Sequence, residues 1–153
     1  MAAEYLANAE QSIALNAPII FDASIPCNRG YVYHEDGTGI FILRGIVNNP
    51  CAKFATYQVT YNGNISIPTG GAITPIAIAI TLAGEQRPTS RAIYTPTVVD
   101  TYGNVTSTAI VKIPRECCFG LSVEYVSGTD DPTVTPTPLI NVINSNLTIT
   151  RIA

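Results

Sequence analysis

The chain contains a single histidine, His34, so a serine or cysteine hydrolase would have to use this residue as its base. His34 is followed by Glu35, Asp36 and Gly37, and an Asp-Gly dipeptide between two apolar runs is typical of a tight hairpin turn. The turn explains this run without a catalytic role. The sequence also lacks a Gly-x-Ser-x-Gly elbow, a Walker loop and a dinucleotide fingerprint. We therefore predict that the protein is not an enzyme and has no catalytic residue and no cofactor.

The four cysteines, Cys27, Cys51, Cys117 and Cys118, allow three interpretations. No Cys-x-x-Cys pair is present, and the adjacent Cys117 and Cys118 should point to opposite faces of a strand, which disfavours a shared metal site. Small buried apolar side chains are the interpretation that we favour. The alternative is a disulfide between Cys27 and Cys51, since each lies beside a proline at a predicted strand edge.

Two pairs of adjacent carboxylates, Glu35 with Asp36 and Asp130 with Asp131, offer the oxygen ligands that Ca²⁺ prefers. Each pair lies in a predicted turn, where acidic side chains commonly hydrogen-bond the local backbone. We therefore favour solvated turns and predict no metal site.

Charged residues make up only 12% of the 153 residues, whereas apolar residues make up 46%. The charged share is about half of that in a typical soluble domain. Such a chain suits sheets whose outer faces carry hydroxyl groups or are covered by another subunit. A net charge of −3 and the lack of any Lys/Arg cluster along the sequence argue against nucleic-acid binding.

Short alternating or apolar runs, separated by Gly, Pro and Asn, continue to the C-terminus. We count roughly eight to ten strands with turns every 8–12 residues, which is typical of a sandwich or jelly roll. The prediction is an all-β, antiparallel jelly roll over residues 13–153, preceded by an N-terminal arm over residues 1–12. Asn62-Gly63 is predicted to turn the chain between two strands, and the last strand, from residue 139 to 152, is expected to break at Asn144-Ser145.

Three segments carry a family resemblance, namely residues 57–67, 78–85 and 146–153. They resemble the C-terminal domain of collagen-like glycoproteins of the bacterial exosporium, a jelly roll of the group that includes tumour necrosis factor and the complement globular heads. The resemblance implies a homotrimer around a three-fold axis, with Tyr57, Val59 and Tyr61 at that axis. No Gly-x-y stalk precedes the domain, which makes the chain similar to short head-decoration or head-fibre proteins of tailed phages.

These observations lead to one main hypothesis, a homotrimeric structural protein on the surface of a particle, most closely a phage capsid. Its partner would be a major capsid protein or another particle surface protein, without nucleic acid or membrane. The first ten residues lack the basic and apolar regions of a secretory signal, so we expect synthesis in the cytosol and a final location on the virion surface, or alternatively on the spore surface.

The alternative function is a trimeric binding module for cell-surface glycan or protein. Its site would combine the Asp130/Asp131 loop with tyrosines, although we favour subunit contacts as the role of the tyrosines. The tyrosines concerned are Tyr31, Tyr33, Tyr57, Tyr61, Tyr94 and Tyr125.

Overall fold

The computed structural model describes residues 2–25 and 30–153, and this part of the chain is built almost wholly of β-strands. Within these residues the structure has twelve strands and one short 3₁₀ helix, Pro88–Ser90. The strands are β1 (Ala2–Ala7), β2 (Gln11–Ala14), β3 (Ala23–Ile25), β4 (Val32–His34), β5 (Phe41–Arg44), β6 (Phe54–Ser66), β7 (Ile76–Leu82), β8 (Glu85–Gln86), β9 (Ala92–Tyr94), β10 (Gly103–Pro114), β11 (Cys118–Ser127) and β12 (Leu139–Arg151).

The strands form two antiparallel sheets that pack face to face. Sheet A has the strand order β10-β6-β12-β1-β3, and β2 pairs with the first part of β12. Sheet B has the order β4-β5-β11-β7-β8, and β9 pairs with the first part of β7. The predicted all-β, antiparallel jelly-roll sandwich is therefore confirmed.

The core lies between the sheets because alternate side chains of each strand point inward. In β7 the large residues Ile76, Ile78, Ile80 and Leu82 join the main core. The small residues Ala77 and Ala79 form a second buried cluster with Val126 on the other side of the sheet.

The prediction of an arm over residues 1–12 is wrong for residues 2–12. Strand β1 lies between β12 and β3 in sheet A, and its register with β12 runs from Ala2 opposite Thr150 to Ala7 opposite Ser145. Ala3, Tyr5 and Ala7 are buried in the core. The chain start therefore belongs to the sandwich, because its alternating apolar residues complete the inner face of sheet A.

The predicted turn at Asn62-Gly63 is also wrong, since β6 continues through both residues. Gly63 does not have a positive φ. A Cβ atom at this position would lie 2.2 Å from the hydroxyl oxygen of Tyr61, so the glycine leaves room for that side chain within a continuous strand.

Two other local predictions are confirmed. Gly37 adopts a positive φ of 86° in the turn between β4 and β5. Strand β12 changes register between Ile143 and Asn146, where Asn144 has a φ of 54°. In the described residues, no helix is long and apolar enough to cross a membrane.

Candidate functional site

The outer face of sheet A is a broad surface made by every second residue of its long strands. One row crosses all five strands, from Thr108 through Thr60, Thr148 and Glu4 to Ile25. Most side chains on this face are uncharged hydroxyls and amides, because Thr, Asn and Gln alternate with core residues in β6, β10 and β12. The polar members are Thr56, Gln58, Thr60, Asn62, Asn64, Asn104, Thr106, Thr108, Asn146, Thr148 and Thr150.

Hydrogen bonds between neighbouring strands order this polar surface. The amide nitrogen of Asn104 donates to the side-chain oxygen of Asn62 at 3.0 Å, and the hydroxyl of Thr106 donates to the same oxygen at 3.0 Å. The hydroxyl oxygens of Thr60 and Thr108 lie 3.4 Å apart. Side chains held in this way lose less conformational entropy when a partner covers them.

Large apolar side chains are exposed on the same face. Phe54 and Ile110 are 46% and 57% exposed, and Ile152, which continues the outward alternation of β12, is 49% exposed. Among the outward positions of β1, β6, β10 and β12, only Glu4 and Lys112 carry charges. A flat surface with so little charge and several exposed apolar groups has the composition of a protein interface.

Tyr57, Val59 and Tyr61 do not lie on this surface, which corrects their predicted place at a three-fold axis. All three are fully buried between the two sheets of one protomer because they occupy the inward positions of β6. The Tyr57 hydroxyl donates to the carbonyl oxygen of Arg44 at 2.6 Å, which ties sheet A to sheet B. Burial raises the pKa of Tyr57, and it raises the pKa of Tyr61 to about 12.

The cysteines also differ from expectation, because Cys51, Cys117 and Cys118 are exposed free thiols rather than buried apolar groups. They occupy or adjoin turns at the ends of strands, which core packing does not cover. Cys27, the predicted disulfide partner of Cys51, lies outside the described residues.

His34 is held by structural contacts. Its ring stacks on Phe41 with centroids 4.1 Å apart and meets Tyr5 edge-on at 5.0 Å. Its two ring nitrogens face the carbonyl oxygens of Ile40, at 3.1 Å, and Phe21, at 3.2 Å. Each ring nitrogen therefore faces a backbone carbonyl oxygen of the same chain.

The paired carboxylates lie in exposed turns. Asp130 forms a salt bridge with Arg91, with 2.9 Å between nitrogen and oxygen, and this hydrogen-bonded guanidinium lowers the pKa of Asp130. Asp131 accepts hydrogen bonds from the hydroxyl and amide of Thr133, which lower its pKa. Across residues 2–25 and 30–153, no group of three His, Cys, Asp or Glu residues is placed to hold a metal ion.

The tyrosines that could have formed a glycan surface are dispersed. Tyr57, Tyr61 and Tyr125 are fully buried, whereas Tyr33 on β4 is 62% exposed. Tyr33 lies on β4, at one edge of sheet B, whereas β8 and β9 pair with β7 on the other side of the sheet. Arg91, which binds Asp130, immediately precedes β9. The structure therefore does not bring Tyr33 to the acidic loop, whereas the buried Tyr125 donates a hydrogen bond to Thr137 of that loop at 2.6 Å.

Sequence reasoning missed the outer face of sheet A as a candidate site. The signal was present as every-second-residue runs of Thr, Asn and Gln in the three long strands. Only the strand order shows that these runs lie side by side, since β6 pairs with both β10 and β12.

No protein-family model and no curated protein matches the sequence. Solved structures do match. The globular domain of zebrafish complement 1qA is 12% identical with a TM-score of 0.61, and the match covers 99% of this chain and 97% of that one. The Eiger TNF of S. frugiperda is 11% identical with a TM-score of 0.64, covering 100% of this chain and 92% of the other. With two antiparallel sheets in the matching arrangement, the chain has the jelly-roll fold of the tumour necrosis factor and complement C1q domains.

Proposed function

We propose that this chain is a non-enzymatic structural protein that forms a homotrimer and coats the surface of a particle, most closely a phage capsid. The observation that carries the proposal is the outer face of sheet A. It spans five strands, has charges only at Glu4 and Lys112 among its outward long-strand positions, and exposes Phe54 and Ile110.

A contact between copies explains why this surface lacks charge. Typical soluble domains contain about 25% charged residues, and most of these lie on the surface. Covering the face with another protomer removes the exposed apolar groups from water, and a closed ring leaves no copy of the surface uncovered. The fold likeness is compatible with a trimeric ring, and the sequence resemblance to exosporium domains implies one.

The oligomeric state tests the first part of this proposal. We expect sedimentation equilibrium in about 1 M salt to give three times the chain mass of 16.3 kDa, because salt weakens a contact between nearly uncharged faces very little. The double variant Thr60→Lys/Thr148→Lys places two cations at the centre of the face and should give monomers. A monomeric native protein at micromolar concentration refutes the trimer.

A matched control carries the same added charge elsewhere. Thr95 and Thr97 are exposed in the segment between β9 and β10, and neither belongs to the outer face of sheet A. Thr95→Lys/Thr97→Lys should therefore sediment as the native protein does. Equal dissociation by both double variants would show that added charge, rather than its position on sheet A, breaks the assembly.

The particle is the second part of the proposal, and it is supported by the resemblance to head-decoration and exosporium domains. Its test is quantitative mass spectrometry of purified virions and spores from the source organism. Enrichment in virions supports capsid decoration, enrichment in spores supports the exosporium alternative, and depletion from both refutes a particle role.

Deleting residues 1–12 is unsuitable as an attachment test, because it removes β1, which pairs with strands on both of its sides in sheet A.

A second candidate, a trimeric binding module, is favoured by one feature of sheet B. On its outer face, Tyr33 is 62% exposed beside Ile42, and Ile40, 54% exposed, borders Gly120. An aromatic ring beside a flat apolar strip suits a sugar ring or an apolar peptide. A glycan array with and without Ca²⁺ tests this function. Binding that Tyr33→Ala abolishes supports it, and no binding in either condition counts against a glycan ligand.

A further inference from the structure

The charges of this chain are separated along the length of the sandwich. At one end, which we call the basic pole, β6 begins and β5, β10 and β12 terminate. The pole contains five of the eight Lys and Arg residues in the chain, with Glu116 as the acidic residue in the same turns. The five are Arg44, Lys53, Lys112, Arg115 and Arg151.

The basic pole is an ordered surface. The guanidinium of Arg115 donates to the carbonyl oxygen of Pro50 at 2.6 Å and so joins two loops, while Arg44 donates to Gly30 at 3.1 Å. Arg44 and Arg115 line a shared cavity of about 260 Å³. The guanidinium of Arg151 lies 4.7 Å from the ring centre of Tyr31, and one of its buried nitrogens has no hydrogen-bond partner. Arg44 and Arg115 are therefore held in place at exposed positions, and their guanidinium groups offer donors that an acidic partner can use.

The other end, the acidic pole, contains the end of β1, the start of β10 and the end of β11. Four exposed carboxylates lie there, and Arg91 is the one basic residue beside them in the described chain. Asp130 and Asp131 project from the loop after β11, and the Asp130 side chain is 89% exposed. The four are Glu10, Asp100, Asp130 and Asp131.

The poles do not neutralise one another within a protomer. A strand of 13 residues such as β6 separates them, which corresponds to about 40 Å at 3.3 Å per residue. This distance is several times the Debye length of about 8 Å at physiological ionic strength. Only two salt bridges occur among the described residues, Arg91 with Asp130 and Arg115 with Glu116, and each lies within one pole.

We propose that copies of this protein associate end to end, with the basic pole of one copy docked on the acidic pole of the next. The occupant is a second copy because the complementary surface is present on the same molecule. The contact joins two different patches and does not close, so it builds a linear stack rather than a ring. It rests on the proposed function only in that each stacked unit is then the trimer. Of the outer face of sheet A, only Lys112 belongs to the basic pole, and the rest of that face takes no part in the contact.

Ionic strength separates this contact from the trimer contact. In about 10 mM salt the Debye length is about 30 Å, and in about 1 M salt it is about 3 Å. We expect sedimentation velocity to show a series of species in low salt that collapses to one species in high salt. A high-salt species of trimer mass supports both proposals, whereas one of monomer mass refutes only the trimer.

Charge-reversed variants test the head-to-tail geometry. Arg44→Glu/Lys53→Glu reverses the basic pole, and Asp130→Lys/Asp131→Lys reverses the acidic pole, all at exposed positions. Neither variant should stack alone in low salt. An equimolar mixture should associate, because the native acidic pole of the first variant meets the native basic pole of the second, and the two reversed poles are again opposite in charge.

The matched control is Glu35→Lys/Asp36→Lys, which changes net charge as the acidic-pole variant does but lies in the β4–β5 turn, away from both poles. This control should stack as the native protein does. Native protein that remains one species in low salt overturns the proposal, as does a mixture of the two pole variants that forms no complex. Loss of stacking in the control would assign the effect to net charge and equally overturn it.

Discussion

The hydrogen bond between Tyr61 and Ser145 gives a quantitative test of how the core is organised. Their hydroxyl oxygens lie 3.0 Å apart between the sheets, with Tyr61 fully buried and Ser145 only 3% exposed. The bulge at Asn144 changes the alternation of β12 and directs Ser145 inward to this position. Each hydroxyl is therefore the partner that satisfies the other.

Removing one hydroxyl leaves the other buried without its partner. We expect Tyr61→Phe and Ser145→Ala each to lower the free energy of unfolding by about 1–3 kcal/mol, the cost of an unsatisfied buried polar group. The double variant leaves neither hydroxyl, so its loss should be smaller than the sum of the two single losses by about 1–3 kcal/mol.

Urea unfolding followed by circular dichroism measures these free energies, with protomer concentration held constant because subunit association contributes to stability. Tyr33→Phe is the control, since Tyr33 is 62% exposed, and it should change stability by less than about 0.5 kcal/mol. Losses that add in the double variant would refute the coupling that this hydrogen bond requires.

Three further predictions concern backbone packing, pH and the thiols. Gly45→Ala places a Cβ atom 1.9 Å from the carbonyl oxygen of Pro114, so it should lower the free energy of unfolding in urea by at least about 3 kcal/mol. Gly120→Ala has its nearest contact at 3.6 Å and should lower this free energy by less than about 1 kcal/mol. Equal losses in the two variants would contradict the packing around Gly45. Burial raises the pKa of Tyr61 and of Tyr125 from 10.0 to about 12, so the folded state holds these protons more tightly than the unfolded chain does. The stability that these protons contribute is present below pH 10 and is lost as the pH rises towards 12. The urea concentration at the unfolding midpoint should therefore decrease when the pH is raised above 10, and Tyr61→Phe should make this decrease smaller. A midpoint that stays constant above pH 10 would refute the prediction. A thiol-specific colorimetric reagent should label at least three cysteines in the native protein at the rate of a denatured control, and slow labelling would contradict the exposure of Cys51, Cys117 and Cys118.

The sequence was sufficient for the fold class and for several local features. Alternation of apolar and polar residues predicted an all-β sandwich, and Asp36-Gly37 correctly marked a hairpin. Asn62-Gly63 carried an equally strong turn signal and was misleading, because the choice between a turn and a continuous strand was made by β10 and β12 pairing along both sides of β6. Local patterns report what a segment can form, and pairing partners select among those possibilities.

The candidate surface depended more strongly on tertiary structure. The sequence identified Tyr57, Val59 and Tyr61 as one face of a strand, which is correct, but assigned that face to a subunit contact, whereas the structure buries it in the core. A two-residue period separates the two faces of a strand and does not say which one another sheet will cover. The threonines of β6, β10 and β12 become one surface only when the strand order is known.

Composition determined that the chain is acidic, poor in charge and rich in strand-forming residues, and alternation determined which residues share a face. Tertiary structure decided that the first strand lies inside sheet A, that Ser145 meets Tyr61 from 84 residues away, and that basic residues scattered along the chain gather at one pole. The physical reason is the separation in sequence over which each interaction acts. Backbone geometry and alternation act between neighbouring residues, whereas strand pairing joins residues far apart in sequence and sets which side chains share a surface.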